Sequence, residues 1–213
     1  LVNNCYSYMF DGCTSLTTAP ELPATTLASN CYSAMFNDCT SLTTAPVLSA
    51  TTLANSACTF MFEGCTSLTT APELPATTLA SSCYRSMFQG CTSLTTAPSL
   101  PTTDFNGKSH CYYEMFRDCT SLTTAPSLPA TALTKSCYGG MFKNCINLTT
   151  APELHATTLA QYCYNGMFSG CTSLNSITCL ATDITASGCT SNWVSGVAAS
   201  GTFTKAANMS SWT

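Results

Sequence analysis

The stretch Cys31-Tyr32-Ser33-Ala34-Met35-Phe36-Asn37-Asp38-Cys39-Thr40-Ser41-Leu42-Thr43-Thr44-Ala45-Pro46 recurs along the chain and decides the fold. A degenerate eighth copy follows seven clear ones, with Cys189 standing 26 residues after Cys163. A fixed period of this length predicts a solenoid, in which each unit packs only against its neighbours. The second cysteine of the unit recurs every 26 residues, with one interval of 28, at Cys13, Cys39, Cys65, Cys91, Cys119, Cys145 and Cys171.

The first half of each unit predicts a short helical turn. Cys31, Met35 and Cys39 are spaced four residues apart, and Tyr32 and Phe36 are offset by one, which gives a single apolar stripe. The residue before the second cysteine is always Gly, Asp or Asn, the types that tolerate the left-handed conformation closing a helix. We therefore expect about two helical turns that end at this residue.

The second half, residues 41–46, predicts a short strand because it is rich in β-branched residues and ends at a proline. Leu42 and Ala45 should face inward and the threonines outward, which requires a bend or bulge. The expected fold class is an α/β repeat solenoid, a right-handed stack of 26-residue units, each a short strand plus a helical turn. Residues 1–180 should form the solenoid, and residues 181–213 the degenerate eighth repeat and C-terminal cap, with a last strand at 201–205.

The pattern resembles the BspA-type leucine-rich repeat, and the resemblance covers Cys5 to about Leu180. Residues 35–42 match the AFxxCxxL half of that repeat, and Leu22-Pro23 matches its LP step, as does Leu74-Pro75. The chain departs from the family at Cys5, Cys31 and Cys83, where an aliphatic residue is more frequent, and at Pro20, where a strand residue is expected.

The resemblance implies an exported protein, because family members are typically surface proteins of gut and oral bacteria that act in adhesion. Similar repeats also occur in protist and phage proteins. The family's usual place is therefore extracellular or at the cell surface. The first five residues of this chain resemble the end of a preceding unit, so we expect it to be part of a longer chain or larger assembly.

Composition excludes two classes of partner. Charged residues are 8% of the chain, against about 25% in typical domains, and the net charge is −4. No basic patch could neutralise a run of phosphates, so nucleic-acid binding is not expected. No apolar run approaches the roughly 20 residues that span a bilayer, so neither is direct membrane insertion.

The sixteen cysteines allow two interpretations. Exported proteins can use such a number as a disulfide framework. Cysteine is also a small apolar side chain that is commonly buried. The Cα atoms of a disulfide must lie within about 7 Å, whereas the eight helical steps between the cysteines of a C-x7-C pair rise roughly 12 Å. This spacing favours buried thiols over disulfides within a unit. Disulfides between neighbouring units remain the alternative. The C-x2-C spacing of zinc sites does not occur, and we expect no metal and no cofactor.

One unit is two residues longer than the others, and its extra charge makes it a candidate binding site. Insertions on rigid scaffolds often carry function, although a neutral change of length is the alternative. Aromatic and arginine side chains dominate binding energies, but Phe105 also aligns with Leu79 and could fill a core position. The site predicted for a protein or glycan partner consists of Asp104, Phe105, Lys108, His110, Glu114 and Arg117.

The strand face is the alternative binding surface. Its threonines should form a ladder about 4.8 Å apart. Flat threonine arrays can bind ice or carbohydrate, but threonine also suits an exposed strand that hydrogen-bonds along the ladder. The residues of this face are Thr17, Thr43, Thr69, Thr95, Thr123 and Thr149.

No local motif sets a serine or cysteine nucleophile against either histidine, so we do not expect an enzyme. The sequence predicts a non-enzymatic repeat scaffold that serves as a surface-exposed binding or adhesion segment. The alternative is a structural spacer, stalk or fibre with no ligand of its own. The near identity of the SLTTAP stretch between units favours the spacer, because binding solenoids usually vary the outward strand positions.

Overall fold

The computed structural model describes residues 1–100, 105, 107–209 and 212. It contains four strands, β1 (Thr26–Leu27), β2 (Thr52–Leu53), β3 (Ser176–Cys179) and β4 (Thr202–Lys205). Strand β1 pairs with β2, and β3 with β4, both in parallel. Strand β4 is the last strand that the sequence predicts. Over the described ranges there is no helix.

Each pairing joins residues about one repeat apart, so the chain is a stack of coils in register. Thr26 pairs with Thr52, and Ser176 with Thr202. Isolated parallel bridges continue the same register, for example from Thr44 to Thr70. This confirms the repeat solenoid.

The strand predicted within SLTTAP is reduced to a single bridge residue, the second threonine. Leu42 is fully buried, Ala45 is half-buried, and the two threonines between them are exposed, as the sequence predicts. The ladder ends after this residue because the proline two positions later has no N–H to donate.

The predicted helical turn is wrong. In residues 30–39 alternate N–H groups donate to the next coil: Tyr32 to the carbonyl of Ala57, and Phe36 to that of Met61. The intervening N–H groups close tight turns onto the carbonyl three residues earlier, as from Met35 to Tyr32. A helix would satisfy these groups internally, whereas here half of them bind the neighbouring coil. An apolar residue at every fourth position fits both a helix and this chain of four-residue turns. Only the chain of turns forms hydrogen bonds between neighbouring coils.

The backbone takes a positive φ at every fourth residue of this turn segment, as at Asn30 (54°), Ala34 (51°) and Asp38 (54°). The Gly, Asp or Asn before the second cysteine does adopt the left-handed conformation, as predicted, but as the third of three such positions and not as a helix end. The middle position accepts even Phe60, at 58°. Left-handed residues of this type are costly, so the hydrogen bonds between coils must hold them in place.

The core consists of ladders of identical side chains, one per coil. Phe10, Phe36, Phe62, Phe88, Phe116, Phe142 and Phe168 stack with ring centroids 5.5 to 5.8 Å apart and planes within 7° of parallel. A tyrosine ladder runs beside them and is interrupted where Cys58 replaces tyrosine. Trp193 ends the tyrosine ladder, stacked 6.4 Å from Tyr164.

All sixteen cysteines are free thiols, fourteen of them buried. Each second cysteine from Cys39 to Cys171 donates its S–H to a phenylalanine carbonyl of the preceding coil, at 2.9 to 3.1 Å. The Cys39 thiol, for example, donates to the carbonyl of Phe10, which also accepts the N–H of Cys13. A side chain at this position must therefore be small, apolar and able to donate, which suits a reduced cysteine.

Candidate binding site on the turn face

The surface formed by the turn segments, here the turn face, carries a pocket of about 320 Å³. It combines three basic side chains with two tyrosines and spans four successive coils. We call it the cation–tyrosine pocket, and its lining residues are Arg85, His110, Tyr113, Lys135, Ser136, Tyr162 and Asn165.

The coil-to-coil hydrogen bonds fix the backbone around the pocket. His110 donates its N–H to the carbonyl of Lys135 at 3.1 Å, and Ser86 donates to that of Tyr113 at 2.8 Å. The pocket residues occupy three positions of the turn segment that differ from unit to unit. A regular backbone thus displays a local set of side chains.

Two glycines make room for the tyrosine rings. A Cβ at Gly139 would lie 3.0 Å from two ring carbons of Tyr113, and one at Gly188 would overlap the ring of Tyr162. Each ring therefore lies against the bare backbone of the next coil. This contact restrains both rings before any ligand binds.

Arg85 lies between two aromatic rings. Its guanidinium carbon is 5.7 Å from the ring centre of Phe60 and 5.2 Å from that of Tyr113. Its Nε atom is buried without a hydrogen-bond partner. Cation–π contacts of this kind hold a guanidinium in place without neutralising its charge.

The pocket is electropositive within an acidic chain. Among the described residues, none of the ion pairs involves Arg85, His110 or Lys135. Burial lowers the pKa of His110, and the positive charges of Arg85 and Lys135 lower it further. The lining holds Arg85, Lys135 and His110 and no carboxylate, so the pocket is suited to an anionic group.

The structure divides the residues of the binding site predicted from the sequence. His110 lines the pocket, and Lys108 lies two residues before it, half-buried. Phe105 is 1% exposed and packs edge-on against Tyr112 and Tyr138, at 5.9 and 5.3 Å. Of the two interpretations of Phe105, its burial supports the core position. Asp104 lies outside the described residues.

Arg117 and Glu114 form an ion pair at 3.0 Å, and Arg117 also contacts Asp118 at 3.2 Å. Arg117 is thereby compensated by two carboxylates, unlike Arg85. Its charge is less available to a partner than that of the pocket cations.

The alternative strand face is exposed and regular. Thr123 donates its N–H to the carbonyl of Thr95 at 3.3 Å, and Thr95 to that of Thr69 at 3.5 Å. Exposed along this line are Thr17, Thr43, Thr69, Thr95, Thr123 and Thr149. The face offers hydroxyls and methyls without charge, and the bonds along it give the threonines a structural role.

A larger cavity of about 500 Å³ lies at the C-terminal end, lined by Trp193, Val197, Phe203 and Trp212 among others. Its lining contains no titratable side chain, and its aromatic residues pack against one another. Among the described residues no cluster of His, Cys, Asp and Glu could hold a metal ion. A search of the same residues finds no helix able to cross a membrane.

Arg85, Tyr113, Lys135, Tyr162 and Asn165 did not enter the site predicted from the sequence. Their signal is positional: aligned by unit, Arg85, Tyr113 and Asn165 share one position, where other units have Ser, Thr or Gly. All five lie outside the inserted stretch, residues 103–110, that indicates the predicted site.

A family model described as "BspA type Leucine rich repeat region" matches six copies in the chain, over residues 2–95 and 110–189. A search of curated proteins finds no match. Among solved structures, a leucine-rich repeat protein of T. pallidum is 19% identical with a TM-score of 0.38, covering 84% of this chain and 61% of its own. A leucine-rich repeat protein from Bacteroides ovatus is 17% identical with a TM-score of 0.24, covering 81% and 63%. The matched region thus spans about three fifths of each of these two proteins.

Proposed function

This chain belongs to the BspA-type leucine-rich repeat family, and on that premise we propose that it is a non-enzymatic scaffold at a cell surface whose turn face binds a protein or glycan partner. The observation that supports binding is the cation–tyrosine pocket. It gathers uncompensated positive charge and restrained aromatic rings on a chain in which charged residues are rare. Arginine and tyrosine are, with tryptophan, the side chains enriched at binding hot spots.

The rigidity of the scaffold supports the same proposal. The core ladders and the hydrogen bonds between coils hold Arg85, Tyr113 and Tyr162 in fixed relative positions. A preorganised surface loses little conformational entropy when a partner binds.

A structural spacer is the second candidate, and the phenylalanine ladder favours it. Seven rings stack without interruption, and the threonine face is nearly identical in each coil. A rod that serves only as a spacer would need this regularity and no pocket.

Binding of the purified chain to epithelial cells distinguishes the two candidates. We expect the wild type to bind, and Arg85→Gln/Lys135→Gln to lose most of the binding. The matched control is Thr69→Ala/Thr95→Ala on the strand face, which should bind as the wild type does. Thermal unfolding of each variant reports whether the fold is intact.

Prior treatment of the cells with protease or with glycosidases identifies a protein or a glycan partner. Equal binding by all folded variants would contradict the role of the turn face. No binding by the wild type would favour the spacer.

A further inference from the structure

We propose that the cation–tyrosine pocket binds the carboxylate of an acidic sugar residue, a uronic or sialic acid. This inference rests on the proposed function and names the ligand class of the same site.

The charge of the pocket fits a single anionic group. Arg85 and Lys135 supply two permanent positive charges, and no Asp or Glu lies among the lining residues. His110 adds a ring N–H at neutral pH. Charge-assisted hydrogen bonds to a carboxylate are about twice as strong as neutral ones. Two cations next to a neutral donor match one carboxylate better than a multiply charged phosphate chain.

The uncharged part of the pocket fits a sugar ring. Tyr162 is 39% exposed and offers an aromatic ring with a polar hydroxyl. The Tyr113 ring lines the same pocket, between the Arg85 guanidinium and Gly139. Asn165 adds an amide, whose Nδ2 also donates to the Ser191 carbonyl at 3.3 Å, and Ser136, which is 4% exposed, adds a hydroxyl at the base of the pocket. A sugar ring has apolar C–H faces and a rim of hydroxyls, so it can contact the exposed Tyr162 ring and bind the polar groups at once.

The position of the pocket fits a terminal or branching sugar on a larger chain. It is open and crosses four coils, with Lys135 exposed at one side and Arg85 half-buried at the other. A ligand that entered with its carboxylate toward Arg85 would extend outward past Lys135. Binding sites for acidic side chains of proteins need no such aromatic lining, which is why we favour the sugar over an acidic peptide.

Titration calorimetry of the whole chain with methyl glucuronide and with the methyl glycoside of sialic acid tests the proposal. We expect saturable binding of at least one of them, and a loss of about tenfold or more for its methyl ester, which keeps the ring and removes the charge. Inorganic phosphate and an acidic peptide serve as competing anions. Equal binding of the ester, or tighter binding of phosphate or the peptide, would overturn the proposal.

Lys135→Gln is the main variant, because Lys135 is exposed and its replacement should not disturb the fold. Tyr162→Ala tests the ring contact, and Lys143→Gln is the matched control away from the pocket. We expect the first two to weaken binding and the third to leave it unchanged. If all three bind the sugar alike, the pocket is not its site.

The two proposals fail separately. If cell binding depends on Arg85 and Lys135 while neither acidic sugar binds, the ligand class is wrong and the proposed function stands. If the sugar binds the pocket while cells do not bind the chain, the site is correct and the surface role is wrong.

Discussion

Tyr113 lies with its ring carbons Cδ2 and Cε2 against Gly139 of the next coil, so closely that a Cβ there would be 3.0 Å from both. Gly139 does not have a positive φ, so its lack of a side chain serves this contact and not a backbone turn. The position of one pocket residue thus depends on a glycine that is not among the residues lining the pocket.

We predict that Gly139→Ala displaces the Tyr113 ring and weakens ligand binding at the pocket several-fold. The unfolding free energy should fall by no more than about 1 to 3 kcal/mol, the usual cost of modest overpacking. Binding and denaturant unfolding are measured in parallel. In a Tyr113→Ala background the same change should weaken binding much less, because its remaining contact is with the Tyr162 carbonyl at 3.3 Å, and an equal loss there would contradict the contact with Tyr113.

The sequence predicts the stack well and the local backbone poorly. The 26-residue period fixes which residues lie above one another, so the ladders through Phe36 and Cys39 follow from it directly. The spacing of Cys31, Met35 and Cys39 could not separate a helix from a chain of four-residue turns, because both place these residues on one side. The difference lies in where the N–H groups donate, which the spacing of side chains does not reveal.

The candidate site was only partly predictable for a similar reason. The sequence indicates His110 because it stands at the insertion, whereas Arg85 stands at the other end of the same long unit, in its turn segment. Arg85 shares its unit position with Tyr113 and therefore lies one coil away from it. Tyr113 and His110 belong to one turn segment, so Arg85 and His110 line the same pocket. Unit-by-unit alignment reveals this neighbourhood once the register is known, and the chemistry of the neighbours decides whether it is a site.

Thiol reactivity gives the second prediction. Burial raises the pKa of Cys39 to about 11 and of Cys65 to about 12, so these thiols are protonated as well as inaccessible at pH 8. In the folded chain a maleimide should label only the exposed Cys5 and Cys13 rapidly. Unfolding without reductant should expose the fourteen buried thiols. Mass spectrometry counts the labels, and fewer than about four in the unfolded, never-reduced protein would show a disulfide framework instead.

Two glycines at equivalent positions give the third prediction. Gly64 and Gly90 have φ of +70° and +73°. A Cβ at Gly90 would only touch backbone atoms 3.6 to 3.7 Å away, whereas one at Gly64 would overlap the Asp38 carboxylate. We expect Gly90→Ala to cost about 1 to 2 kcal/mol, from the left-handed backbone alone. Gly64→Ala should cost more.

In an Asp38→Gly background, Gly64→Ala should cost no more unfolding free energy than Gly90→Ala does in the wild type. The cost is measured by denaturant unfolding, as the difference between the double variant and the single Asp38→Gly variant. Equal costs for the two single alanine variants would show that the carboxylate moves aside freely.

Deletion of one unit gives the fourth prediction. Removing residues 31–56 joins Asn30 to Ala57, which stands at the unit position of Cys31. The shortened chain should fold, because each coil contacts only its neighbours, and its denaturant m-value should fall with the lost surface. Removing residues 31–43 should abolish cooperative unfolding, since it places strand residues where a turn segment belongs. The solenoid register would be wrong if both deletions behaved alike.

The pH dependence of the pocket gives the fifth prediction. The groups around His110 are Arg85, Tyr113, Lys135 and Tyr162, and burial together with the two cations holds its pKa below 6.5. The unfolded chain therefore takes up a proton more readily than the folded one. His110 should accordingly reduce stability as the pH falls through 6.5 toward its folded pKa.

The affinity for the ligand should depend on pH in the opposite direction, because a bound carboxylate stabilises the protonated imidazole of His110. Sugar carboxylates stay ionised well below pH 5, so only the protein titrates in this range. We therefore expect the affinity for the acidic sugar to rise between pH 7.5 and pH 5.5 while the free chain becomes less stable. In His110→Gln the affinity should be independent of pH, whereas in His155→Gln, whose histidine lies near Glu153, it should rise as in the wild type. Calorimetry at both pH values measures the change, and an affinity that falls on acidification would mean that the carboxylate does not contact His110.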